Sequence, residues 1–319
     1  MLYQILLYPS RAALHFYCRK IVINYKDLLS EKGPLLIAAN HPNSFLDAII
    51  ISTVFKQPVY SLARGDVFAN RFFSKVLQSV NMLPVYRLSE GAENLGYNYL
   101  TFEVCKKLFE EQNVVLIFSE GGCTNEWKLR PLKKGTARLA ISAWKESIPL
   151  KVLPLGINYN SFRSFGKNVH LNFGKIITPN DLEFINQEGK AINIFNEKLE
   201  AQLKNLVYHI EPNDRQKHHE HFYEKPSTFK KIILFIPAVI GFILNAPLYF
   251  IIHLFIKDRA EDHYDSIMTG ILFFFYPVYV LALTLVLFFV TRNVLSFFLL
   301  LVMPFTAWSY LQVKPQIKK

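Results

Sequence analysis

Pro34-Leu35-Leu36-Ile37-Ala38-Ala39-Asn40-His41-Pro42-Asn43-Ser44-Phe45-Leu46-Asp47 is the stretch from which the fold is read. The apolar run 35–39 has the length and composition of a buried strand. It stops at Asn40-His41-Pro42, where Pro42 biases His41 away from helical backbone. Asn43 or Ser44 is placed to cap a following helix whose apolar positions Phe45, Leu46, Ile49, Ile50 and Val54 recur at roughly helical spacing. A histidine thus sits where a strand hands over to a helix, and Asp47 lies one turn further on. Strand ends of open α/β sheets gather ligands and catalytic groups. A carboxylate beside an imidazole fixes its tautomer and stabilises the imidazolium that forms when the ring takes a proton. The same residues also fit a plain turn with a first-turn acid favoured by the helix dipole. The rest of the chain decides between the two.

Downstream, strands are expected over 59–63, 82–86, 114–118, 151–159 and 169–173, after a first strand over 20–25. Helices are expected over 67–80, 97–111, 135–144 and 192–210, and the run 114–118 is apolar enough for burial on both faces. Strands alternating with helices define an α/β domain with a mostly parallel sheet flanked by helices. Its strand ends carry His41 with Asp47, then Arg87, then Glu120 with Gly121, which a parallel sheet brings to one edge. Between 128 and 138 stand Lys128, Arg130, Lys133, Lys134 and Arg138 without an acid, and Gly135 opens a helix there. This is either an anion site of backbone N–H groups and cations or a solvated basic face.

The 319 residues include 51% hydrophobic types and carry a formal charge of +11. That charge suits an anionic membrane surface or a phosphate substrate. Nucleic acid is disfavoured because no binding module is recognisable. Cys18, Cys105 and Cys123 have no paired spacing, so no disulfide frame or zinc site is expected. Residues 1–20 mix aromatic, aliphatic and basic groups, which fits an interfacial helix or equally an ordinary helix packed on the domain. The domain proper is expected over 21–210 and a polar linker over 211–231. His218-His219-Glu220-His221 in that linker lacks the spacing of a zinc protease helix. A C-terminal α-helical membrane region is expected over 232–319: segments 232–256, 267–290 and 294–311 contain no Asp, Glu, Lys or Arg, against the ~20 residues that span a bilayer. Three full spans would set Lys314, Lys318 and Lys319 opposite Lys225, Lys230 and Lys231, against the positive-inside tendency. The favoured topology therefore breaks the first segment at Asn245-Ala246-Pro247, so that it enters and leaves on one side.

Four blocks taken together resemble the glycerolipid acyltransferase family, that of the lysophosphatidic-acid and glycerol-3-phosphate acyltransferases with a histidine–aspartate box. They are Asn40-His41 to Asp47, Leu83-Pro84-Val85-Tyr86-Arg87, Phe118-Ser119-Glu120-Gly121-Gly122 and Leu153-Pro154-Leu155-Gly156. The chain departs from the pattern in three places. Five residues rather than four separate His41 from Asp47, Asn81 stands where Gly is frequent, and Ser119 replaces the usual Pro.

The resemblance implies an integral membrane enzyme with its catalytic domain on the cytoplasmic face. It would move a fatty acyl group from acyl-CoA or acyl carrier protein to glycerol 3-phosphate or lysophosphatidic acid, with no metal and no further cofactor. His41 would be the general base, oriented by Asp47. Arg87, Glu120 and Gly121 would position the acceptor, with Lys133 and Lys134 as further phosphate partners; Cys123 is an alternative nucleophile. Another lysolipid or an amino lipid is an alternative acceptor, and a non-catalytic scaffold binding anionic lipid is the alternative function.

Overall fold

In the computed structural model the described residues are 2–86, 96–182, 187–225, 227–258 and 261–316, the side chain of residue 97 apart. The strand β2 (Leu35–Ala39) is wholly buried, and its side chains alternate between two cores. Leu35, Ile37 and Ala39 face one, Leu36 and Ala38 the other, as an unbroken apolar strand covered on both faces requires. The first core is closed by α1 (Leu2–Tyr17) and α2 (Phe45–Val54). The second is closed by α4 (Tyr97–Glu110), α5 (Gly135–Lys145) and α6 (Glu188–Leu206).

The other strands are β1 (Cys18–Ile23), β3 (Val59–Arg64), β4 (Met82–Val85), β5 (Val114–Phe118), β6 (Lys151–Tyr159) and β7 (Lys167–Phe173). The sheet runs β1-β7-β6-β2-β5-β3-β4. It is parallel throughout except between β6 and β7. The register pairs Ala39 with Phe118 on one side and with Leu155 on the other. The ends of β2, β5 and β6 therefore share one edge, and the antiparallel step puts the starts of β7 and β1 there too.

Several boundaries differ from the sequence reading. The helix expected over 67–80 is divided: a 3-10 turn, Gly65–Phe68, precedes α3 (Arg71–Ser79), because the Asn70 side chain accepts from the amides of Phe72 and Phe73 and caps a new start. Ser44 stands at the N-cap of α2 but makes no capping bond. The polar linker expected over 211–231 contains a short helix. Asp214 caps α7 (Arg215–Phe222), Phe222 is fully buried, and His218 Nε2 pairs with the Asn160 carbonyl. His221 stacks on Tyr208 and His219 on Tyr223, so all three clustered histidines serve packing.

Three C-terminal helices are long and apolar enough to cross a membrane: α8 (Thr228–Ile256), α9 (Tyr264–Thr291) and the 294–313 segment. The last is a 3-10 run, Val294–Phe298, continued by α10 (Leu299–Val313). Contrary to the sequence expectation, α8 runs unbroken through Asn245-Ala246-Pro247. Asn245 Nδ2 donates to the Gly241 carbonyl at 2.7 Å, and Gly241 lets the Thr306 backbone of α10 approach where any Cβ would collide with it.

Both flanks of α8 return to the α/β domain. Ile252 and Ile256 join the first core. At the other end Lys230 bonds Gln312, next to Leu311, whose carbonyl accepts from the Arg19 guanidinium. The start of α9 is riveted by charge. Asp265 pairs with Lys167, both fully buried, and accepts from the Tyr17 hydroxyl at 2.7 Å and Asn43 Nδ2 at 2.9 Å. Lys167 also donates to the Ser161 carbonyl at 3.0 Å.

Removing one member of a buried pair leaves an uncompensated charge, at a cost of about 3–5 kcal/mol. Asp265→Ala should lower unfolding stability in detergent by that amount, whereas Lys167→Met combined with Asp265→Leu should restore most of it. Equal stability of the single and double variants would contradict the pairing.

Candidate active site

Asp47 organises the sheet edge. Its carboxylate is fully buried. Oδ2 accepts from His41 Nδ1 at 2.9 Å and from the Asn43 amide at 2.8 Å, and Oδ1 accepts from the Tyr159 hydroxyl at 2.7 Å. The extra residue between His41 and Asp47 is taken up in the Pro42–Ser44 turn, which folds back so that the Asn43 amide meets the carboxylate. With Nδ1–H committed to Asp47, the lone pair of the neutral ring lies on Nε2. That nitrogen has no protein hydrogen bond among the described residues. The ring itself is clamped by stacking on Phe118, with centroids 3.7 Å apart and planes 12° from parallel. An imidazole so oriented can accept a proton at Nε2 while the buried carboxylate stabilises the resulting charge.

Glu120 occupies a different place from the one expected of a substrate contact. Oε2 accepts from the His41 amide at 2.8 Å and Oε1 from the Arg130 amide at 2.8 Å. Both oxygens brace backbone, tying the end of β5 to the histidine and to the basic loop. Burial pushes the Glu120 carboxyl above its ordinary range, against the two amides, which hold it down. Gly121 sits at φ +64° with the Lys133 side chain over it, where a Cβ would crowd Lys133 Cγ at 2.9 Å. Lys133 and Lys134 are exposed at the entry to α5. Arg87 lies outside the described residues. The preceding Tyr86 is held at both its amide and its carbonyl by the Asn98 side chain.

Two departures from the family pattern have physical reasons. Ser119 donates its amide to the Ala39 carbonyl at 2.8 Å, and its hydroxyl accepts from Thr136; proline could not make the first bond. Asn81 has φ +62°, a left-handed conformation in which glycine is commonest and asparagine is tolerated.

The sequence reading missed several supports. Tyr159, at the end of β6, reaches the far oxygen of Asp47. Arg130, noted only as one of a basic run, donates Nη1 to Thr124 Oγ1 at 2.6 Å, and the Thr124 amide bonds the His41 carbonyl. The α8–α9 connection supplies the others. His263 Nδ1 bonds Ser44 Oγ at 2.8 Å, steadying a non-glycine residue at φ +51°. Ser266 Oγ accepts from the Leu46 amide and donates to the Asn43 carbonyl, both at 3.0 Å, and Asp262 accepts from the Asn125 amide. The only signal of these contacts in the sequence was the polar cluster between two apolar segments. Burial first, then nearby carboxylates, push the Cys123 thiol far up, which disfavours the thiolate a nucleophile needs, and Sγ accepts from the Ser44 amide.

The acyltransferase family model matches residues 20–158. No curated protein matches the chain. Among solved structures, that of the 1-acyl-sn-glycerophosphate (LPA) acyltransferase PlsC from Thermotoga maritima is similar, at 15% identity and a TM-score of 0.37, over 57% of this chain and 73% of that one. The matched residues run from β1 to the end of β6 and include His41, Asp47 and Glu120. Through that region the chain is similar to the acyltransferase family.

Proposed function

We propose that this acyltransferase is membrane-bound and transfers a fatty acyl group from a thioester, acyl-CoA or acyl carrier protein, to a hydroxyl of glycerol 3-phosphate or lysophosphatidic acid. The observation that carries the reading is the His41–Asp47 pair, with its tautomer set by a buried carboxylate and Nε2 left for substrate. His41 Nε2 takes the hydroxyl proton as the alcohol oxygen attacks the thioester carbonyl. When the tetrahedral adduct collapses, the carbon–sulfur bond breaks, and the imidazolium returns the proton to the departing thiolate. No acyl-enzyme forms. Lys133, Lys134 and Arg130 are the described cations beside the site suited to an acceptor phosphate, and Arg87 joins them by its place after β4. Glu120 positions the loop.

Apolar substrates explain the apolar helices. Asp262, on the α8–α9 connection, bonds the domain, as do Glu224 just before α8 and Gln316 after α10. All three points thus lie on the domain side, so that only α9 and α10 cross, as a hairpin turned at Arg292. Lys225, Lys230, Lys231, Lys257 and Lys314 then share one face, which the positive-inside rule assigns to the cytoplasm.

Three outcomes test these statements. His41→Ala should lose at least about a hundredfold in kcat with the fold retained, while Cys123→Ser keeps activity; the converse would transfer the role to the thiol. Tyr159→Phe removes one hydrogen bond to a buried carboxylate, worth about 1.5–3 kcal/mol, and should lower kcat with little change in KM. In sealed vesicles, single cysteines at position 257 and after Lys319 should react from the side of the domain and one at position 292 from the other; reaction of 257 and 292 from the same side would refute the hairpin.

A further inference from the structure

A second basic site lies at the same edge of the sheet as His41, at the start of β1. That is three strand spacings from β2, about 14 Å. A cavity of 380 Å³ opens there between the β-domain and the first turns of α8. It is lined by five cations, Arg19, Lys20, Lys225, Lys230 and Lys231, against one carboxylate, Glu224. Glu224 is engaged by Lys20 at 2.8 Å. Lys230 is held over the Trp308 ring, 5.1 Å from its centroid, and to Gln312. Lys225 and Lys231 have no carboxylate partner among the described residues.

The back of the cavity is polar and incompletely satisfied. Arg19 places Nε and Nη2 on the Leu311 and Lys314 carbonyls, yet its buried Nη1 has no partner, and neither does the buried Oδ1 of Asn168 beside it. A guanidinium with a spare, desolvated N–H among uncompensated lysines is a receptor for an anion with several acceptor oxygens. The front is apolar. Phe229, Ile232, Ile233 and Ile236 on the next turns of α8 are 55–75% exposed, and Trp308 is the kind of residue that sits at headgroup level.

A free phosphate has no use for that apolar face, whereas a diacyl lipid matches both halves. We infer that this cavity binds the phosphate headgroup of an anionic membrane phospholipid, its acyl chains lying along the exposed face of α8. Arg19 Nη1, Lys225 and Lys231 hold the phosphate oxygens, and Asn168 Oδ1 accepts from a headgroup hydroxyl. The site is distinct from the catalytic one and uses none of its residues. It rests on the reading that the apolar helices lie in a bilayer.

The test is lipid retention by the full-length protein in neutral detergent, read by native mass spectrometry with phosphatidylglycerol and phosphatidylcholine of the same chains. The wild type should retain phosphatidylglycerol preferentially, and Lys225→Gln with Lys231→Gln should cut that preference about tenfold or more. Retention of phosphatidylcholine, the thermal midpoint and the basal acyl transfer should not change. Equal retention of the two lipids by the wild type would overturn the proposal, as would an undiminished preference in the double variant. Displacement of phosphatidylglycerol by inorganic phosphate alone would make it a phosphate-ion site and overturn the lipid assignment. Association with pure phosphatidylcholine vesicles is measured in parallel. Its loss would strike the membrane reading, whereas intact association without headgroup preference would strike only this site.

Discussion

Everything at the sheet edge depends on one buried carboxylate being fully satisfied. An ionised Asp47 without partners would be expensive to bury. It is tolerable because a ring N–H, a backbone amide and a phenol converge on its two oxygens. Those three donors come from the strand–helix turn and from the end of β6, so meeting the carboxylate's demand fixes the relation of β2, α2 and β6 at once. The imidazole is thereby held in one tautomer and one plane, with Phe118 beneath it. Glu120 repeats the device on the other side of β2, spending its oxygens on two backbone amides. Two carboxylates of the same edge therefore serve geometry.

The apolar C-terminal helices belong to this arrangement. The α8–α9 connection and the first turn of α9 touch the 40–47 turn at Asn43, Ser44 and Leu46, through His263, Asp265 and Ser266. Asp265 in turn is neutralised by Lys167 from β7. A chain of contacts thus runs from β7, through the first turn of α9, to the residues flanking Asp47. The apolar helices present apolar side chains outward and hold the turn in place at their polar ends.

Much of this was legible in the sequence and some was not. The bounds of β2, β5 and β6 followed from composition, because strands buried on both faces read as unbroken apolar runs. The His41–Asp47 pairing also followed, since both ends of the pair lie on one local turn. Where a boundary depended on a single side chain, as Asn70 does in dividing the helix expected over 67–80, the apolar pattern around it concealed the break. Long-range partners were hidden altogether. Nothing local to Tyr159, Asp262, His263 or Asp265 announces that they meet the 40–47 turn. Glu120 is expected on the same sheet edge as His41, but whether it faces substrate or backbone depends on the path of the 120–134 loop, which has no periodicity to read. The 211–231 segment reads as a linker on its polarity, and that polarity conceals Phe222, the buried residue that seats α7.

The separation of Asn43 from Asp265 along the chain, 222 residues, bears on biogenesis. During synthesis the α/β portion emerges long before α9, so its central turn waits, with Asn43 and Ser44 lacking their eventual neighbours, until the apolar helices have followed. The 40–47 turn is in this way completed only after α9 has been made, by the contacts of His263, Asp265 and Ser266.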